Sequence, residues 1–331
     1  MAGSVLEVEN LHVTFASPDG PVKAVRGLDF SIGDGESLGI VGESGSGKSV
    51  SMLAVMGLLP RNATITGSIR FRGQELLGRP EAELRKLRGG KMAMIFQDPM
   101  TSLNPVLTVG FQIAEAIEAH RPDTDRKGRL ARAAELLDLV GIPNATTRVR
   151  QYPHEFSGGM RQRAMIAMAI ANDPDLLVAD EPTTALDVTI QAQIMAVLER
   201  AQEATGAAIV LITHDLGVVA GTADRVMVMY AGRAAETGTI YDVFGHSRHP
   251  YTLGLLASLP RLDDTGRERL VPIPGSPPSM VHPPPGCAFN PRCPYARALC
   301  KAEMPVLRPI EGTGQCSACH FAEDLNGARP T

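Results

Sequence analysis

Residues Gly42-Glu43-Ser44-Gly45-Ser46-Gly47-Lys48-Ser49 fit the pattern G-x-x-x-x-G-K-[ST] at every fixed position. Such a loop turns backbone N–H groups inward onto phosphate oxygens, and its glycines let the backbone come close. The helix opening near Gly47 adds its positive end, so Gly42 to Val50 are the candidate phosphate contacts. Within them Lys48 suits the β- and γ-phosphates and Ser49 suits Mg²⁺. A second group is Leu176-Leu177-Val178-Ala179-Asp180-Glu181, an apolar run ending in two carboxylates. Beside a phosphate loop, Asp180 suits Mg²⁺ coordination and Glu181 suits a base for an attacking water.

Lesser candidates follow the same logic. Gln97 closes the run Lys91 to Phe96, and His214 closes Ile209 to Thr213, where parallel sheets place ligand contacts. Ser157-Gly158-Gly159 opens a helix, with Ser157 as N-cap; next to a phosphate loop this is a second phosphate-binding helix terminus. Asp187 precedes a long helix, and N-capping is its plain role. Phe15 ends a strand and suits either the core or stacking on a nucleotide base. The five cysteines all lie after residue 286, in the order Cys287, Cys293, Cys300, Cys316, Cys319, with His320 following. Clustering of this kind favours metal over disulfide in a reducing compartment. Three readings stand: a c-type haem pattern in Cys316 to His320, zinc on four ligands, or an iron–sulfur cluster on four thiolates. Spacing does not separate zinc from the cluster.

These residues need a scaffold, and the periodicity supplies one. Residues 5–15 and 22–32 alternate apolar and polar as two strands, with a turn at Ser17 to Gly20. Leu38 to Val41 reads as a buried parallel strand, followed by a helix over 49–57. Gly67 to Gly73 and Lys91 to Phe96 read as strands around a charged helix, Glu81 to Arg88. From Leu107 to Asn172 the pattern is helical, an all-helical insertion in an α/β core. Arg225 to Tyr230 reads as the last core strand. Residues 272–285 hold seven prolines and read as a stiff connector that cannot be helix or central strand.

Composition bounds the partners. The 331 residues carry 32 basic and 36 acidic side chains, a net charge of −4, which offers no footprint for nucleic acid. The N-terminal MAGSVLEVENLHV has no basic and apolar leader, and no run reaches about 18 apolar residues, so a cytosolic chain is expected.

Together and in this order, the motifs resemble the ATPase subunit of ATP-binding-cassette (ABC) transporters over residues 5–245. The resemblance implies a P-loop (RecA-like) α/β core with an antiparallel β subdomain and a helical subdomain at about 98–172. It makes residues 42–49 the Walker A loop and Gln97 the Q-loop glutamine. Ser157 to Arg161 become the signature, Asp180 the Walker B aspartate and Glu181 the catalytic glutamate. Asp187 marks the D-loop, His214 the switch histidine, and Phe15 the base-stacking position. Lys48, Gln97 and His214 join Glu181 in catalysis, and Ser49, Gln97 and Asp180 hold Mg²⁺. One departure is that the usual LSGGQ reads Phe156-Ser157-Gly158-Gly159-Met160.

The stretches Met94 to Pro105, Asp180 to Thr189 and His249-Pro250-Tyr251-Thr252, with the proline-rich tail, resemble more narrowly the D-type ATPase of oligopeptide and dipeptide permeases. That resemblance implies a peptide importer with ATP and Mg²⁺, two transmembrane permease subunits, an F-type ATPase as heterodimer partner and an extracytoplasmic binding protein. It places the chain peripherally on the cytoplasmic face of the membrane. Related importers carry nickel, oligosaccharides or opines. Residues 246–331 become an extension to the 1–245 nucleotide-binding domain, with a [4Fe–4S] cluster on Cys287, Cys293, Cys300 and Cys319, and Cys316 extra. A soluble ABC ATPase acting on DNA or ribosomes is the other class; it calls for tandem cassettes, a coiled-coil insertion or a basic surface, and the sequence has none of these.

Overall fold

The computed structural model describes residues 3–97, 102–184, 187–258 and 272–325. It divides into two compact units. One takes the chain up to Leu6, Ile32–Ser37 and Phe71–Ile212; the other takes Glu7–Ser31, Leu38–Arg70 and everything from Thr213 onward.

The first unit is built on parallel strands. Leu176–Asp180 pairs with Met92–Ile95 on one side, with Ile95 opposite Ala179, and with Ala208–Thr213 on the other, with Asp180 opposite Ile212. Leu176, Leu177, Val178 and Ala179 are all fully buried. A run with no polar side fits only a strand covered on both faces, as parallel sheets are. The pairing brings Gln97 and the Asp180-Glu181 pair to the same carboxyl end of the ladder.

Between Leu107 and Asn172 the chain is helical, with no strand, as its periodicity predicts. Each longer helix starts on a short polar side chain that accepts a backbone N–H. Thr108 caps Val109–Glu118, Asp125 caps Arg126–Leu139 and Ser157 caps Gly158–Ala169. Asp187 caps Val188–Thr205, which stops at Gly206 with φ 69°. Buried Asn172 holds the insertion to the strand region by donating to the Gly89 and Ala116 carbonyls, both at 2.9 Å. The expected break at Asp98-Pro99, and Ala185 and Leu186 of the D-loop, lie outside the described residues.

In the second unit Ser37–Val41 runs parallel to Arg225–Tyr230, with Val41 opposite Val228. A second sheet carries Ser4–Phe15 flanked by Val22–Gly33 and Ala63–Phe71. The predicted turn between its first two strands closes through Gly20 N–H to Ser17 carbonyl at 3.1 Å.

Reading Arg225–Tyr230 as the last core strand is corrected here. Arg233–Thr239 pairs antiparallel with it, Cys316–Ser317 pairs with Arg233–Thr239, and Arg308–Pro309 pairs with Cys316–Ser317. Arg-Ala-Ala-Glu-Thr-Gly-Thr lacks the apolar alternation of a strand, and its register shifts between Ala234 and Glu236. Its place comes from strand partners on both sides rather than from its own pattern. Residues 272–285 form neither helix nor strand, as their prolines dictate. Beyond them the extension joins the core: the buried Phe289 ring stands 5.2 Å from Tyr230 and 5.5 Å from Tyr251.

Candidate nucleotide site and cysteine pocket

The loop after Ser37–Val41 has the backbone its glycines permit. Gly42 has φ 154°, and a Cβ there would lie 2.2 Å from the Met229 carbonyl oxygen. Gly47 has φ 99°, and a Cβ there would lie 2.5 Å from the Ala24 carbonyl oxygen. Both are closed to any side chain on two counts, conformation and space. Helix Lys48–Val55 starts directly from Gly47, presenting its first N–H groups to the loop.

Within the loop the buried Lys48 ammonium donates to the carbonyls of Gly42 at 2.7 Å and Glu43 at 3.1 Å. The Ser46 hydroxyl is buried without a hydrogen-bond partner. A desolvated hydroxyl with nothing to bond is costly, and in a glycine-lined loop at a helix start a phosphate oxygen satisfies it. The residues present therefore fit a bound polyphosphate. Phe15 ends its strand half-buried, in the same unit as the loop.

In the first unit Gln97 and Glu181 meet. The Gln97 amide donates to Glu181 Oε2 at 3.0 Å, and the Thr184 hydroxyl donates to the same oxygen at 2.7 Å. Glu181 has φ 47°, a left-handed conformation uncommon in a residue with a side chain. Its N–H is tied to the Ile212 carbonyl at 2.9 Å, so the strained backbone is held by the neighbouring strand. Strain held by its surroundings gathers at functional positions. Sequence reasoning missed Thr184 and the strain; the three-residue spacing from Glu181, that of a tight turn, was the available signal for the first. Asp180, just before, is buried. Ser157 Oγ accepts from Met160 N–H at 3.3 Å, and Arg161 ties the turn by donating to the Pro153 and Phe156 carbonyls. A Cβ on Gly159 would meet Ile190 at 3.2 Å. His214 follows its strand as expected and is exposed, ahead of the helix Leu216–Ala220.

All five cysteines are free thiols. Cys287, Cys293, Cys300 and Cys319 line one pocket, with His249 and Phe289 in its wall. Cys316 sits apart on its short strand opposite Thr237, so the Cys316 to His320 haem pattern does not come together. Burial pushes the Cys293 thiol up to about 12 and Cys319 to about 11, and neighbouring pocket cysteines add to both. Among the described residues no group of three His, Cys, Asp or Glu side chains is placed to hold a metal ion. Neither the expected cluster nor zinc is thereby shown; what the four thiols share is the lining of one cavity.

Comparison with known proteins agrees with this geometry. The family model described as ABC transporter matches residues 25–184, and that of the oligopeptide/dipeptide transporter C-terminal region matches residues 235–300. An oligopeptide transport ATP-binding protein of Haemophilus influenzae is 54% identical, across 90% of this chain and 91% of its own. The chain belongs to the ATP-binding proteins of ABC transporters. A dipeptide transport ATP-binding protein of Bacillus subtilis is likewise 54% identical, over 94% of each chain. An oligopeptide transport ATP-binding protein of Mycobacterium tuberculosis is 53% identical over 98% of this chain, which spans about half, 53%, of that relative's length. Among solved structures, a dimeric ATP-binding cassette in a post-hydrolysis state with ADP and Pi superposes with TM-score 0.64 at 28% identity, covering 71% of this chain and 98% of the other. The α/β cassette fold expected from the motifs is the fold found. The family's C-terminal match ends at Cys300, short of Cys319. No helix among the described residues is long and apolar enough to cross a membrane.

Proposed function

We propose that this chain is the ATP-hydrolysing subunit of a peptide importer, working from the cytoplasmic face of a membrane it does not itself span. The observation that carries the reading is its identity of 54%, over nine-tenths or more of both chains, to proteins named for oligopeptide and dipeptide transport. Residues 1–245 form the nucleotide-binding domain, with the helical subdomain at about 98–172, and residues 246–331 the extension. In this reading the backbone of Gly42 to Val50 cradles the phosphates, Lys48 turns to the β- and γ-phosphates, and Phe15 stacks on the base. Ser49, Asp180 and Gln97 would hold Mg²⁺, which neutralises charge between the phosphates. Glu181 accepts the proton of the attacking water, with Gln97 and His214 beside the reacting phosphate. Ser157, Gly158, Gly159 and Asp187 act across a dimer, on ATP held by a second cassette subunit of F type. Two transmembrane permease subunits and an extracytoplasmic binding protein complete the assembly; nucleic acid is not a partner.

The four pocket cysteines would hold a [4Fe–4S] cluster, whose supply to the protein is order in a proline-rich segment. What supports the reading is that four thiols line one cavity. Affinity isolation of the tagged chain from detergent-solubilised membranes is the test. Two membrane subunits and one F-type cassette are expected in equal proportion. A complex holding two copies of this chain and no other cassette would overturn the heterodimer, and recovery with DNA or ribosomes would overturn the transport reading.

A further inference from the structure

Glu43, an x position of G-x-x-x-x-G-K-[ST], is pinned at three points. Its carbonyl accepts from Lys48, its backbone N–H donates to the Tyr251 hydroxyl at 2.8 Å, and its carboxylate takes a fork from Arg292 at 2.6 and 3.0 Å. Arg292 is only 8% exposed. It also donates to the Pro274 carbonyl at 2.9 Å and to the Tyr230 hydroxyl at 3.3 Å. The guanidinium stands 5.8 and 5.9 Å from the Tyr230 and Phe289 ring centres. Its backbone belongs to the turn between Cys287 and Cys293, closed by Asn290 N–H to Cys287 carbonyl, Arg292 N–H to Phe289 carbonyl and Cys293 N–H to Asn290 carbonyl.

We infer that Arg292 is a positioning residue for ATP binding: it carries the cysteine-bearing extension onto the phosphate loop and neutralises Glu43 there. The chemistry follows from charge. A loop that receives an anionic polyphosphate carries its own carboxylate at Glu43, and an unpaired carboxylate beside phosphate repels it. A buried, bidentate guanidinium cancels that charge and fixes the side chain. The second consequence concerns Lys48. Reaching for phosphate takes its ammonium from the Gly42 and Glu43 carbonyls, and Tyr251 and Arg292 remain to hold Glu43 when it does. The contact joins residues 249 apart in sequence, within a single compact unit. The inference rests on the nucleotide-binding reading of the loop.

The test is a double-mutant cycle on MgATP affinity of the full chain. R292A is expected to raise the Kd for MgATP about tenfold on the wild-type background and less than about twofold on an E43Q background, since no carboxylate is then left to neutralise. In the assembled transporter R292A should raise KM for ATP by a similar factor and leave kcat within about twofold. R292K, which keeps the charge and loses the fork, should fall between, and it serves in the cycle if R292A does not fold. Equal losses on both backgrounds, or no loss on either, would overturn the role. Failure of the wild-type protein to bind MgATP would instead sink the nucleotide-binding reading itself.

Discussion

Glu181→Gln in the assembled transporter is expected to lower ATP turnover at least about a hundredfold while leaving MgATP binding intact. The amide is nearly isosteric with the carboxylate. Its oxygen can still accept from the Gln97 amide and the Thr184 hydroxyl, which now meet on Glu181 Oε2 at 3.0 and 2.7 Å. The left-handed backbone at φ 47° is held by strand pairing, not by the charge. What the substitution removes, in the proposed role, is the basic oxygen that takes a proton from water. Single-turnover hydrolysis beside equilibrium binding separates the two effects. Lost binding with normal turnover of whatever nucleotide is bound would move Glu181 from chemistry to nucleotide affinity.

Cys293→Ser is expected to take protein reconstituted anaerobically from about four irons per chain to nearly none, with loss of brown absorbance. The same change at Cys316 should leave iron content unaltered. Cys293 lines the shared pocket and its thiol feels Cys287, Cys319 and Cys300, whereas Cys316 lies outside it, on a short strand paired on both sides. With thiols pushed up to about 12 and 11 at Cys293 and Cys319, they are protonated at neutral pH before loading. Loading must therefore release protons, and iron uptake should weaken as pH falls. Colourless protein carrying one zinc and no iron after reconstitution would restore the zinc reading.

How far the sequence carried these conclusions depends on the range of each interaction. The phosphate loop was readable because its geometry is local: glycines, a buried strand before and a helix after determine it within thirteen residues, 37–49. Ser157 and Asp187 were readable as caps for the same reason, each bonding a backbone N–H three residues on. Arg233–Thr239 was not, since its polar composition becomes a strand only between Arg225–Tyr230 and Cys316–Ser317. Arg292 and Tyr251 were invisible as loop anchors because nothing in their own neighbourhoods points to Glu43. The packing of Phe289 against Tyr230 and Tyr251 was invisible for the same reason, since its partners lie far away in sequence. Because of that packing, loss of the cysteine pocket is expected to reach ATP binding rather than leave it untouched.

The central claim is that ATP hydrolysis by this chain is coupled to peptide import. Its most direct measurement is the ATPase rate of the complete membrane complex, reconstituted in vesicles with its binding protein, with and without peptide. Peptide-loaded binding protein should raise the rate several-fold, and the complex carrying Glu181→Gln should stay near background in both conditions. A rate indifferent to peptide and binding protein, or one unchanged by Glu181→Gln, would contradict the account.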